Sequence, residues 1–166
     1  MLVRLALFIL LVACTPSDRL QRTYGETNGV WQTVSRDTEV FRDDTDHVLA
    51  RTIILERGSE TRYYLSLSFL HGKGNRPRIL SVEMNEQPLP YVLHDRLRTF
   101  CIDHCHKAEI GQIRLTEAQF RNAANDGIIL KVSGQRRDYG PNVPSWLFYS
   151  ALQAANLLEP VRNPLP

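Results

Sequence analysis

The chain has 166 residues with 20 basic and 18 acidic side chains, and its formal net charge of +2 gives no electrostatic case for nucleic-acid binding. Its length suits one domain with a real hydrophobic core. The sequence has no Gly-x-Ser-x-Gly elbow, no His-Glu-x-x-His pair and no phosphate-binding glycine loop. We therefore expect a protein that is not an enzyme and carries no cofactor.

The first fourteen residues are typical of a secretion signal. Arg4 precedes an apolar run over residues 5–11, and a small residue, Ala13, precedes Cys14. The run is shorter than the roughly 20 residues that a membrane-spanning helix needs, but it suits the apolar region of a signal peptide. The pattern predicts that residues 1–13 form a signal peptide.

The sequence Leu11-Val12-Ala13-Cys14 resembles the lipobox of bacterial lipoproteins. In that family the chain is cut before the cysteine, whose thiol is then lipidated. The resemblance implies that Cys14 carries the lipid, in which palmitate is one of the acyl chains. This lipid would anchor the protein in the envelope of a Gram-negative bacterium. Thr15 stands where an aspartate would retain such a protein at the inner membrane, so the resemblance implies the outer membrane.

The rest of the chain predicts a tether, one domain and a tail. Residues 14–29 are mostly polar and predict a flexible tether, and the 15 residues after Cys14 would reach roughly 50 Å when extended. Residues 30–158 carry the apolar patterns of a single β-rich domain. Residues 159–166 contain three prolines and predict a tail.

Strand patterns dominate the predicted domain. Residues 61–70 alternate apolar and polar side chains, and with residues 47–57 they predict an antiparallel hairpin around Gly58. We expect a mainly β domain, a β-sandwich or a barrel-like antiparallel fold, with short helices at 116–126 and 145–158. Further strands are predicted at residues 31–34, 39–42, 78–83, 89–93, 97–102, 110–115 and 128–133.

The helix at 116–126 has a clear start signal. Thr116 and Gln119 have the spacing of a capping box, and Leu115 and Phe120 flank the cap as a hydrophobic staple. Gly127 is placed to end the helix in a left-handed conformation.

If Cys14 carries lipid, Cys101 and Cys105 are the remaining cysteines. An even number of cysteines in an exported chain favours a disulfide, which would close a tight loop between two strands. A cysteine nucleophile paired with a histidine is an alternative that sequence adjacency does not support.

Two further alternatives use the same segment. Cys101 and Cys105 with His104, His106 or His94 would make a zinc or copper site of nitrogen and sulfur ligands. The spacing Cys-x-x-x-Cys-His also resembles a rare variant of the haem attachment motif, with Met84 as an axial partner.

Other polar and aromatic motifs have more ordinary interpretations. The run Asp43-Asp44-Thr45-Asp46-His47 predicts a solvated hairpin turn more readily than a cation-binding loop, because it lacks the glycine and glutamate of an EF-hand. Residues 63–64 and 146–149 predict core and edge packing. Loops 71–77 and 136–144 are the candidate segments for an inhibitor of a hydrolase.

The order of elements between residues 47 and 155 resembles periplasmic proteins of the invasion-associated locus B type. The shared features are strand pairs, a close cysteine pair after Phe100, a strand at Ile128 and a final aromatic and alanine-rich segment. The resemblance implies a β-sandwich with a local disulfide and an envelope role. A protein partner, or support of envelope integrity, is the expected function.

We predict that Cys101 and Cys105 are bonded to each other in the mature protein. Mass spectrometry of the non-reduced, alkylated protein should find neither thiol alkylated. Because the loop is short, removal of both cysteines should cost about 2 kcal/mol or less and leave the fold intact. Two alkylated thiols would contradict the disulfide and favour the metal or haem alternative.

Overall fold

The computed structural model describes residues 20–71, 78–95, 99–101 and 105–158. Its described part is mainly β, with antiparallel sheets and two helices, which confirms the predicted fold class. The elements in chain order are β1 (Gln21–Gly25), β2 (Val30–Val34), β3 (Thr38–Arg42), β4 (Asp46–Arg57), β5 (Glu60–His71), β6 (Ile79–Met84), β7 (Gln87–Leu89), β8 (Tyr91–Asp95), β9 (Thr99–Cys101), β10 (Cys105–Leu115), α1 (Glu117–Asp126), β11 (Ile128–Ile129), β12 (Lys131–Gly134), β13 (Asp138–Tyr139), β14 (Asn142–Val143) and α2 (Ser145–Ala154).

The large sheet forms one layer of the domain. Its strands run in the order β1-β2-β4-β5-β10-β8, and β3 and β9 pair with β4 and β10 farther along those strands. The second layer contains the sheet β13-β12-β6-β7, the short pair β11–β14 and the two helices. The domain is therefore a β-sandwich in which helices complete the second layer.

The hairpin of β4 and β5 is the centre of the large sheet, as the sequence predicts. Its two 12-residue strands pair without a register shift, and the two-residue turn starts at Gly58, whose φ of +58° favours glycine. On β5, Tyr63, Leu65, Leu67 and Phe69 are buried on the face that meets the second layer. The period-two pattern thus sets the orientation of the sheet.

The second layer packs on this face through both helices. Phe120 of α1 and Phe148 of α2 are fully buried, and their ring centroids lie 5.1 Å apart in an edge-to-face arrangement. The buried Thr52 hydroxyl of β4 donates to the Leu147 carbonyl at 3.1 Å. A polar bond and an aromatic cluster therefore fix α2 on the sheet.

The first strand is missing from the sequence prediction. β1 spans Gln21–Gly25 and pairs with β2 along its full length, from Gln21 opposite Val34 to Gly25 opposite Val30. The predicted tether over 14–29 is therefore wrong from residue 21 onward. The sequence of this strand is polar and lacks an apolar alternation, because its side chains bury little apolar surface. Its strand conformation depends on the backbone pairing with β2.

The predicted strand at 128–133 and the predicted loop at 136–144 also differ from the structure. Ile128–Ile129 pairs with Asn142–Val143, whereas Lys131–Gly134 pairs with β6 and with Asp138–Tyr139. The buried Leu130 separates the two pieces, and its amide donates to the Pro141 carbonyl at 3.0 Å. The single strand predicted at 128–133 is therefore two short strands that belong to two different sheets.

Helix α1 begins as predicted. The Thr116 hydroxyl accepts from the Gln119 amide at 3.1 Å, and the Gln119 side chain accepts from the Thr116 amide at 2.8 Å. Gly127 ends the helix with a φ of +73° but an extended ψ of −175°, so the predicted left-handed cap is only half right. The extended ψ follows from the strand that begins at the next residue.

Helix α2 ends at Ala154, earlier than the predicted residue 158. Asn156 adopts a φ of +57°; its amide donates to the Gln153 carbonyl at 3.1 Å and the Leu157 amide to the Leu152 carbonyl at 2.9 Å. This pair of bonds is a Schellman motif with asparagine in the left-handed position. The local cap ends the helix before its apolar pattern runs out.

The capping box makes Thr116 a sensitive position for stability. Thr116→Ala should lower the free energy of unfolding by about 1 kcal/mol, because the first turn of α1 loses its side-chain acceptor. Urea denaturation measures the change. Thr116→Ser keeps the hydroxyl and is the control; equal losses in both variants would contradict a capping role.

Candidate functional site

The cysteine segment forms a tight hairpin at one end of the large sheet. Cys105 opens β10 directly opposite Cys101, the last residue of β9; it is exposed and disulfide-bonded. The intervening His104 lies outside the described residues, as does Cys14 at the other end of the chain. The structure describes the disulfide at Cys105 only, so its pairing with Cys101 remains a prediction. The metal and haem alternatives would require both thiols to be free.

The structure places the remaining candidate ligands on different elements. His94 is exposed on β8, Met84 ends β6 against the main core, and the backbone of His106 pairs with that of Phe100. Within the described part of the chain, no group of three or more histidine, cysteine, aspartate or glutamate side chains is arranged to hold a metal ion.

Strands β8 and β9 form one edge of the large sheet, which we call the distal edge. β8 pairs with the Ile110–Ile113 stretch of β10, and β9 pairs with its first three residues. Val92 and Leu93 are consecutive residues in continuous register with Gln112 and Gly111, and both are exposed, at 63% and 40%. The distal edge therefore exposes apolar side chains on both faces of β8, beside the hairpin that contains Cys105.

A buried carboxylate supports the distal edge from inside. Glu109 is fully buried, and its Oε1 accepts from the Ile79 amide at 3.0 Å and from the Tyr91 hydroxyl at 3.3 Å. Tyr91 reaches it because its ring lies on the backbone of Gly111, where an added Cβ would come within 2.2 Å of the ring. Gly111 and Glu109 together fix the orientation of β8.

A second buried carboxylate joins the two layers. Asp46, at the start of β4, is fully buried, and its Oδ1 is bound by His71 Nδ1 of the neighbouring strand. Its Oδ2 accepts from Arg137 Nη1 and from the Tyr139 hydroxyl, each at 3.2 Å. Since Arg137 and Tyr139 belong to the second layer, one carboxylate ties both layers together.

Asp43 completes this cluster from the turn before β4. Its Oδ1 accepts from the amides of Thr45 at 2.9 Å and Asp46 at 2.8 Å, and its Oδ2 pairs with Arg137 Nη2 at 2.5 Å. Burial acts to raise the pKa of Asp43, but the two amides and Arg137 outweigh it and lower the pKa. Asp43 therefore stays ionised in the fold.

The pKa values of Tyr139 and Arg137 are shifted by burial and by the neighbouring carboxylates. Burial, and then the charge of Asp46, raise the pKa of Tyr139 well above its usual value, which keeps its hydroxyl a donor. Burial lowers the pKa of Arg137, but the hydrogen bond that Arg137 donates to Asp43 and the charges of Asp43 and Asp46 outweigh it and raise the pKa. Arg137 therefore joins the two carboxylates in one network.

This cluster corrects two sequence interpretations. The run at residues 43–47 is not a solvated turn throughout, because Asp46 is fully buried and His47 is 8% exposed. The segment 136–144, a candidate inhibitor loop, directs Arg137 and Tyr139 into the domain. Sequence reasoning missed the network because Arg137 lies 91 positions from Asp46, and no local pattern links them.

Four exposed aromatic side chains lie on the opposite side of the domain, and we call them the aromatic surface: Tyr24, Trp31, Trp146 and Tyr149. Trp31 is 43% exposed and Trp146 42%. The sequence predicted packing for all of residues 146–149, yet Leu147 and Phe148 are buried while their neighbours face outward. Helical spacing puts the two kinds of residue on different faces of α2.

Two arginines hold the aromatic surface in place. Arg22 of β1 stands 5.0 Å from the Trp31 ring centroid and donates to the Ala154 carbonyl at 3.0 Å and to Glu56 at 3.2 Å. Arg36 stands 5.1 Å from the ring centroid of Trp146. Both ends of α2 are therefore connected to the side of the sheet that carries β1 and β2.

No protein-family model, curated protein or solved structure matches this chain. The resemblances found in the sequence therefore stay expectations. Among the described residues, no helix is long and apolar enough to cross a membrane.

The Asp46 network should dominate the stability of the sandwich. Asp46→Ala should cost about 3 kcal/mol, because His71 and the Tyr139 hydroxyl lose their buried acceptor, while Arg137 keeps its ion pair with Asp43. Tyr139→Phe should cost about 1.5–3 kcal/mol, the usual contribution of a hydrogen bond to a charged group. Urea denaturation measures both, with the exposed Tyr149→Phe as control; a loss for Asp46→Ala no larger than for the control would contradict the network.

Acid should weaken the fold through Asp43. Its pKa in the fold is below the ordinary value of 3.8, so its stabilising contribution is complete above pH 3.8 and disappears as the pH falls through the folded-state pKa. The free energy of unfolding should therefore fall below about pH 4. Asp43→Asn should flatten this acid limb, and an unchanged slope would contradict the assignment.

Proposed function

We propose that this protein is a lipid-anchored protein of the outer membrane that binds a protein partner through its distal edge and has no catalytic role. The lipobox-like sequence ending at Cys14 supports the anchor and the signal peptide over residues 1–13. The exposed apolar side chains beside the cysteine hairpin support the partner-binding role. An envelope role of the invasion-associated locus B type is compatible with this arrangement.

One observation carries the proposal: the chain enters the sheet at one edge and exposes apolar side chains at the opposite edge. β1 reaches the large sheet beside the first residues of β5, through the pairing of β2 with Ile53–Glu56. Val92 and Leu93 lie on β8 at the other edge, level with Ser66 and Leu67 of β5, because both strands pair with Gly111 and Gln112 of β10. Five strand spacings separate β1 from β8, roughly 24 Å across the sheet.

This layout favours a partner that approaches from the side away from the anchor. Val92 and Leu93 offer apolar side chains on a strand that is the edge among the described residues, and such edges support strand-mediated recognition. The hairpin of β9 and β10 brings a second segment to the same edge. A protein segment fits such an edge better than a small molecule, since the edge is open and elongated.

The anchor has a direct test. Cys14→Ser should move the protein from the membrane fraction to the soluble fraction, because the acyl chains that hold it are absent. Fractionation of cells expressing each form, with mass spectrometry of the N-terminal peptide, measures this. A Cys14→Ser chain that is still processed and stays membrane-bound would contradict the lipid anchor.

The distal edge has an independent test with a matched control. A photo-reactive amino acid at Val92 should crosslink in intact cells to a discrete partner, and Val92→Asp should remove copurification of that partner. Leu80 is equally exposed, at 62% against 63% for Val92, but lies in the second-layer strand β6. Crosslinks of the same species from Leu80 and Val92, or none from Val92, would contradict the proposed edge.

A further inference from the structure

We propose that the aromatic surface of Tyr24, Trp31, Trp146 and Tyr149 contacts the lipid headgroup region of the membrane that holds the Cys14 anchor. This inference rests on the lipid anchor of the proposed function. It assigns the side of the domain opposite the distal edge to the membrane itself, and therefore assigns the domain one orientation.

The first step is the length of chain between the anchor and the sheet. β1 begins at Gln21, so only the six residues 15–20 separate it from Cys14. Fully extended, that link spans roughly 24 Å, about half of the reach expected for a tether ending at residue 29. The corner of the domain that contains β1 is therefore held close to the bilayer surface.

The second step is what that corner exposes. Tyr24 and Trp31 face each other across the β1–β2 hairpin with ring centroids 4.9 Å apart, on the same strands that the link enters. Trp146 and Tyr149 continue the surface along α2, whose C-terminal carbonyl is bound by Arg22. Tyr24 and Trp31 therefore lie on the strands nearest the anchor, and Trp146 and Tyr149 lie on a helix whose C-terminal end is bound to β1.

The third step is the chemistry of these side chains. Tryptophan and tyrosine concentrate at membrane interfaces, where an apolar ring and a polar N–H or O–H group both find partners. Arg22 and Arg36 stand over the two tryptophan rings and add positive charge beside them, which suits anionic headgroups. The same residue types also occur in protein interfaces, but the short link places a bilayer within reach of this corner.

The two tryptophans of the chain are the natural probes, since Trp31 and Trp146 both belong to the surface. The experiment uses the acylated mature protein in vesicles of phosphatidylethanolamine and phosphatidylglycerol whose acyl chains carry bromine near the headgroup. The variants Trp31→Phe and Trp146→Phe leave one tryptophan each. Fluorescence of each should fall about twofold relative to vesicles without bromine, because ring burial at the headgroup boundary brings indole and bromine together.

The matched control moves the probe to the distal edge. Val92→Trp in a chain with both native tryptophans replaced by phenylalanine should show no quenching, since this edge points away from the bilayer. Equal quenching at position 92 would show random tumbling on the link and would overturn the proposal. Unquenched tryptophans that become shielded from iodide only when a protein partner is added would overturn it in favour of a protein interface.

The anchor and the surface fail in different ways. A mature chain without acyl groups at Cys14 would overturn the proposed function and, with it, the basis of this inference. An acylated chain in which both tryptophans remain unquenched would overturn the aromatic surface alone and leave the anchor intact.

Discussion

The buried carboxylate of Asp46 is the interaction on which the sandwich depends. It lies at the start of the longest hairpin, receives His71 from its own sheet, and receives Arg137 and Tyr139 from the other layer. A charge buried in this way is costly unless it is hydrogen-bonded and paired, and here donors from five residues bind the carboxylates of Asp46 and Asp43: His71, Arg137, Tyr139, Thr45 and the amide of Asp46. Because a misplaced second layer would deprive Asp46 of Arg137 and Tyr139, the network favours one packing arrangement over its competitors.

The two edges of the large sheet expose different side chains. At one edge β1, Arg22 and the aromatic side chains are joined by short contacts, and the chain leaves toward Cys14. At the opposite edge of the large sheet, Glu109 and Gly111 hold Tyr91, and Val92 and Leu93 are exposed. The proposed anchor and the proposed partner surface thus lie at opposite edges of one sheet, an arrangement that would orient the domain between a membrane and a protein.

Local rules predicted the parts of the fold that local physics controls. The alternation of Tyr63 to Phe69 predicted the central hairpin, and Thr116 with Gln119 predicted the start of α1, because strand period and helix capping depend on neighbours within a few residues. The same rules predicted a mainly β sandwich with two helices. They were less successful where an element ends: α2 stops at Ala154 because Asn156 and Leu157 close a cap that apolar spacing does not reveal.

By itself the sequence determined the fold class, the central hairpin, the cap of α1 and the candidate cysteines, all properties of short segments. Only the tertiary structure decided that polar residues 21–25 form an edge strand, that Asp46 is buried, and that Trp31 and Trp146 face outward. These depend on contacts between distant segments, such as Asp46 with Arg137 or Arg22 with Ala154, separated by 91 and 132 positions. The burial of a residue and its pairing partners are decided when the two layers pack. A local pattern of apolar and polar residues does not specify them.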